Sequence, residues 1–137
     1  MVDPKAAARN LALRKKREQA LLDARRASAQ AEGRRLARRL LEEIPGTKRV
    51  FGFGSTWELW RGYRKSSDID LAMDGGDLMA AMAIVEGSDI PVDVLELSSC
   101  RPTMVQAILE RGVVLAEQIL VPDLVRLVLM APPVDPG

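Results

Sequence analysis

Two aspartates, Asp68 and Asp70, stand two apart in the run SSDIDLAM. On a strand, residues i and i+2 point to the same face. The pair would project together while Ile69, Leu71 and Met73 turn to the other face and can be buried. Carboxylates side by side repel, and the pair is stable mainly when a cation lies between them or when one holds a proton. Hard oxygen ligands at this spacing suit Mg²⁺, which takes one or two protein carboxylates together with substrate phosphates. An isolated Asp-x-Asp is also what a solvated edge strand or a turn presents. Taken alone it favours that plainer account.

Upstream, the strand-like run KRVFGFG turns at Gly54-Ser55. Gly54 lets the backbone approach a ligand and adopt positive φ, and Ser55 can cap the segment that follows. Such a turn presents backbone N–H groups to an anion. A phosphate held there would face a cation held by Asp68 and Asp70, although a lone Gly-Ser is usually only a tight turn. Downstream, Asp93 interrupts the apolar run IPVDVLEL. A buried, unpaired carboxylate is costly, so Asp93 either joins the cation site from a neighbouring strand or lies on the exposed face of an edge strand, as Glu96 would.

In this order, Gly54-Ser55, Ser67-Asp68-Ile69-Asp70-Leu71 and Asp93 resemble the nucleotidyltransferase superfamily of DNA polymerase beta, in its minimal nucleotidyltransferase branch. Arg61-Gly62 is similar to an Arg-Gly that the branch carries after the turn. The resemblance spans roughly residues 35 to 115. It implies an α/β (α+β) fold: a small mixed sheet with helices mainly on one face, here preceded by a long basic N-terminal helix. It implies transfer of a nucleoside monophosphate, AMP from ATP, with pyrophosphate leaving. Asp68 and Asp70 would hold two Mg²⁺ or Mn²⁺ ions, and Asp93 would ligate the second and help draw off the acceptor's proton. Gly54 and Ser55 would hold the β- and γ-phosphates, and Arg61, Arg64 or Lys65 would neutralise the triphosphate. These three cations are equally consistent with a solvated loop. The sequence departs from the pattern in one respect. Twelve residues separate Ser55 from Asp68, where the branch has about ten. The excess in Thr56–Trp60 adds nearly one helical turn before Arg61 and alters its reach.

The elements that must position these groups follow from pattern. Residues 5 to 44 are dominated by strong helix formers, with Pro4 suited to a helix start and Pro45-Gly46 to its end. Leu36, Leu40 and Ile44 mark one buried face. Gly33 divides this stretch into a basic helical extension, 1–33, and a helix belonging to the domain, 34–118. Asp77 is an N-cap for a short helix over 78–86 whose Leu78, Ala81, Met82 and Val85 face the sheet; Met79 and Met82 read as core. Pro102 opens another helix with Val105, Ile108 and Leu109 buried, and Val113-Val114-Leu115 is a short final strand. Trp57 and Trp60 share a face of a helical turn. They would cover the core or, less in keeping with so few aromatics, stack on a base or a partner.

The remaining composition narrows the chemistry. The 137 residues include no histidine and a single cysteine, Cys100. Histidine-dependent triads, histidine-ligated zinc and an internal disulfide framework are excluded, and the cysteine usage fits a reducing cytoplasm. No signal peptide, membrane span or repeat is evident. Residues 5 to 44 carry twelve Lys and Arg against five Asp and Glu, while residues 45 to 137 carry eight against thirteen. The basic helix is a solvated or partner-pairing helix, or a nucleic-acid contact that lacks aromatics to stack bases. The tail, 119–137, is apolar from Ile119 to Met130 and reads as helix or strand, either core or an interface. Minimal nucleotidyltransferases often pair with a HEPN-type toxin, so the resemblance implies an antitoxin with such a partner. A non-catalytic binding module and a nucleic-acid adaptor are the alternatives. A homo-oligomer would also satisfy the two unusual ends.

Overall fold

The computed structural model describes residues 3–119. The expected apolar tail beyond Ile119 lies outside the described residues. Helix α1 runs from Pro4 to Glu43. Asp3 caps it, its side chain accepting from the Lys5 N–H at 3.1 Å, and Pro4 occupies the first turn, where a missing N–H costs nothing. Strands β1 (Arg49–Phe53) and β2 (Ile69–Asp74), helix α2 (Leu78–Val85), strand β3 (Val92–Glu96), helix α3 (Pro102–Arg111) and strand β4 (Val113–Glu117) follow. The strands form one sheet in the order β3-β2-β1-β4, with β2 and β3 parallel and the other two pairs antiparallel.

The period-2 pattern of β2 divides the core into two layers. Ile69, Leu71 and Met73 point to one face, where they meet Leu36, Ala37 and Leu40 of α1 and Ala81 and Val85 of α2. Ala72 points to the other face with Phe51, Leu97 and Ile108, the last from α3. Two helices thus cover the first face and the short α3 the second, which is the mixed α+β arrangement expected. Asp70 alternates with Leu71 and belongs to the α3 face, as does its β3 partner Asp93. The strand begins at Ile69, so Asp68 lies one residue before it instead of opening it.

Several expected contacts differ. Helix α1 passes through Gly33 without a break, and its buried stripe already includes Ala29. The glycine is there because the Trp57 ring lies on it: a Cβ at Gly33 or at Gly52 on β1 would collide with the indole. Burying that ring between helix and sheet offsets the roughly 1 kcal/mol a mid-helix glycine costs. Trp60 does not share this face. It is 67% exposed while Trp57 is 5% exposed, because the segment after Trp57 forms successive turns and not a regular helix. Met79 and Met82, expected in the core, are exposed, as is Leu109. Helix α2 buries only the narrow Ala81–Val85 edge, which lets the small side chain, not the methionines, approach the sheet. In α3 it is Ile108 that meets Phe51 and Ala72, leaving Leu109, one residue round the helix, in solvent.

Candidate active site

The site lies at the end of β1 and the start of β2, on the α3 face. Asp70 is in register with Phe53 of β1 on one side and Asp93 of β3 on the other. Neighbouring strands are about 4.8 Å apart, so the two carboxylates issue from adjacent positions on one face. Gly54 follows Phe53 with φ +76°, and its missing Cβ is where the Asp70 carboxylate sits. Both the backbone angle and the contact require glycine. The crowding has an electrostatic consequence. Burial, then the charges of Asp93 and Asp68, push the Asp70 carboxyl up to about 6, partly countered by Arg61, with Glu58 adding to the rise.

The Gly-Ser turn is held from several sides. The Gly54 carbonyl accepts from the N–H groups of Trp57 at 3.1 Å and Glu58 at 2.8 Å. Ser55 and Ser67 join hydroxyls at 3.0 Å, and Thr56 Oγ1 donates to the Asp68 carbonyl at 3.0 Å. These bonds tie the turn to the segment entering β2. From α1, Arg26 donates to the carbonyls of Ser55 at 2.6 Å, Glu58 at 2.9 Å and Thr56 at 3.4 Å, and Gln30 donates to Thr56 at 2.9 Å. The long helix is therefore part of the scaffold of the turn.

Glu58 is an unexpected member of the site. Its carboxylate is buried, accepts from the Gly54 N–H at 2.7 Å and pairs with Arg61 at 3.2 Å. The signal for it was present in the sequence: Ser55-Thr56-Trp57-Glu58 has the S/T-x-x-E spacing of a capping box. Here the carboxylate reaches the N–H of Gly54, one residue before the serine.

A cleft of about 240 Å³ gathers Gly54, Glu58, Arg61 and Asp70 with Met104, Ala107 and Arg111 of α3. Arg111 is a second cation on the cleft, one that no motif in the chain singles out. Arg64 and Lys65 line a different cavity, with Tyr63 and with Glu18, Leu21, Leu22 and Arg25 of α1. Of the three cations expected at a triphosphate, Arg61 lies on the cleft beside Asp70. Asp93 is exposed on the edge strand β3 and also borders a groove between β3 and α2. Of the two placements expected for Asp93, the exposed face of an edge strand is the one observed, and water solvates the charge there. Its register with Asp70 stands. The described residues hold no group of three or more His, Cys, Asp or Glu side chains drawn together as a metal site. In type, the donors are hard oxygens that suit Mg²⁺, for which one or two carboxylates are enough when phosphates supply the rest.

The four-stranded mixed sheet in the order β3-β2-β1-β4, behind a long N-terminal helix, agrees with the nucleotidyltransferase fold that the sequence resemblance implies. No family model matches the chain, and no curated protein matches it. Among solved structures it is similar to a toxin–antitoxin with AMP-PNP, at 23% identity and a TM-score of 0.52 over 71% of this chain and 85% of that one. It is also similar to a mutant of the toxin–antitoxin MntA–HpeT, at 21% identity and a TM-score of 0.51 over 72% of this chain and 84% of that one. The likeness is one of fold. Among the described residues no helix is long and apolar enough to cross a membrane.

Proposed function

We propose that the chain is a nucleotidyltransferase that moves AMP from ATP to a hydroxyl group of a partner protein, and that it acts as the antitoxin of a HEPN-type toxin. One observation carries the reading: Asp70 and Asp93 are register partners on parallel strands, with the Gly54 turn folded against Asp70. The fold it shares with a toxin–antitoxin solved with AMP-PNP supports both the nucleotide and the kind of partner.

The residues divide the work as follows. Of Asp68, Asp70 and Asp93, one or two carboxylates at a time would hold each Mg²⁺ with substrate phosphates supplying the rest, and its charge would relieve the repulsion that raises Asp70. When bound, the metal neutralises charge on the phosphates and makes the attacking hydroxyl more acidic. Arg61 and Arg111, both on the cleft, stabilise the pyrophosphate as it leaves. The acceptor oxygen bonds to the α-phosphorus, the bond from that phosphorus to the bridging oxygen breaks, and the acceptor's proton passes to Asp93. The exposure of Asp93 on an edge strand suits this role, because the acceptor is a side chain of another protein.

Incubation with α-labelled ATP, Mg²⁺ and a HEPN-type protein tests the proposal. Label should appear on the partner and be lost with Asp70→Asn. A second reading has its own observation. Because Glu58 occupies the Gly54 N–H, the chain would neutralise its partner by binding alone. Partner binding without label transfer, at saturating ATP and Mg²⁺, would establish that reading.

A further inference from the structure

The Gly54 N–H and Arg61 are the donor and the cation best placed for a phosphate beside Asp70, and one carboxylate engages both. Glu58 Oε2 lies 2.7 Å from the Gly54 nitrogen and 3.2 Å from Arg61 Nε. The side chain is only 6% exposed, so this is a built contact and not a surface encounter. We propose that Glu58 is an internal stand-in for phosphate: a latch that occupies the Gly54 turn, excludes polyphosphates from it, and is displaced when a nucleotide enters and takes over Arg61. The proposal rests on the nucleotidyltransferase reading and adds to it the residue that sets how readily the site accepts its substrate.

The exchange is chemically matched. A carboxylate oxygen and a phosphate oxygen are both anionic acceptors for a backbone N–H and a guanidinium, and they compete for the same partners. The surroundings let the side chain leave without the turn. The backbone of Glu58 is held independently, its N–H by the Gly54 carbonyl at 2.8 Å and its carbonyl by Arg26 at 2.9 Å. Arg61 is half exposed and stacks over the Trp60 ring at 4.8 Å, so it can pivot from Glu58 to an incoming phosphate. A triphosphate that arrived with Glu58 in place would set its own charge against Glu58 and Asp70 in one small cleft, which is unfavourable. The competing account is that Glu58 is a permanent brace of capping-box type. The two accounts part on whether Arg61 leaves Glu58 and Trp60 when phosphate binds.

Titration calorimetry with Mg²⁺ and inorganic tripolyphosphate, and separately with Mg·ATP, on the wild-type chain and on Glu58→Gln tests whether the Glu58 charge opposes phosphate, which the latch requires. Glutamine keeps the size and can still accept from Gly54, but it removes the charge. The latch predicts binding of both ligands at least about tenfold tighter in Glu58→Gln, the factor expected when one nearby like charge is removed. Unchanged or weaker binding by folded Glu58→Gln overturns the latch and leaves nucleotide binding standing. Absence of binding by either chain overturns the latch and the nucleotidyltransferase reading together. A readout in the wild-type chain needs no substitution at Glu58. Tripolyphosphate, which has no base to stack, should change tryptophan emission as Arg61 leaves Trp60, and Trp60→Phe should abolish the change. Saturation with tripolyphosphate without that change overturns the exchange of Arg61.

Discussion

Arg26 Nη2 donates to the Ser55 carbonyl at 2.6 Å, across twenty-nine positions of chain. The same guanidinium reaches the carbonyls of Glu58 and Thr56, so one planar fork fixes the backbone that carries the Gly-Ser turn. Hydrogen bonds to a charged donor contribute roughly 1.5–3 kcal/mol when lost. Arg26→Ala should destabilise the chain by about that amount in urea denaturation and weaken Mg·ATP binding as well. Arg26→Lys should recover little, because an ammonium cannot span several carbonyls in one plane. Full recovery by lysine would mean that charge alone matters there.

Gly33 makes a prediction with an inverted sign. In an exposed helix, Gly→Ala stabilises by about 1 kcal/mol. Here a Cβ meets the Trp57 ring, and overpacking costs about 1–3 kcal/mol. Gly33→Ala should therefore lower the thermal midpoint. In the Trp57→Leu background, where the ring is gone, the same change should be neutral or stabilising. A double-mutant cycle of melting curves measures the coupling, and additive effects would show that the indole and the glycine do not depend on each other.

Asp70 links stability to pH. Its folded pKa of about 6 lies above the ordinary 3.8, so between these values the folded chain holds more proton than the unfolded one. Stability falls as pH rises through this window, and the full penalty is present above it. Asp70→Asn should accordingly melt higher than wild type at pH 7.5 in chelator, by on the order of 1 kcal/mol once solvent screening is allowed for. The difference should close as pH falls towards 4. Mg²⁺ should raise the midpoint of the wild type at pH 7.5 and leave Asp70→Asn unmoved. A wild type that melts higher than Asp70→Asn in chelator at pH 7.5 would contradict the sign.

Much of the site was legible because its signals are local. The alternation through Ile69, Leu71 and Met73 separates a core face from the Asp70 face, and Gly54 marks a turn that only glycine fits. What escaped depends on residues distant in sequence. Nothing near Arg26 in the chain indicates that its partners are Ser55, Thr56 and Glu58, and a run of cations reads as solvated until the fold brings carbonyls to it. Apolar identity also misled. Met79 and Met82 satisfy a helical period, yet the small residues of α2 decide which edge approaches the sheet. Arg111 ends a helix whose packing depends on Ile108, so its place at the cleft follows from tertiary contact alone.

Helix α1 should prove unequal along its length. From Lys5 to Leu21 nearly every side chain is exposed, including Leu11, Leu13 and Leu21, whereas Ala29, Gly33, Leu36, Ala37 and Leu40 are buried. An isolated helix shorter than about 12–15 residues is marginal in water, and most helices draw their stability from a packed face. Asp3 and Pro4 cap the exposed half but supply no such face. Amide hydrogen exchange on dilute protein should therefore show rapid exchange from about residue 5 to 20 and protection approaching the global value from about 29 to 43. Removing residues 1–20 should change the unfolding free energy by less than about 0.5 kcal/mol, as surface changes do. Concentrated protein, or protein with its partner bound, should protect the first half if that half is an interface. Uniform protection of the whole helix in dilute, monomeric protein would show that the exposed half is stable without a neighbour.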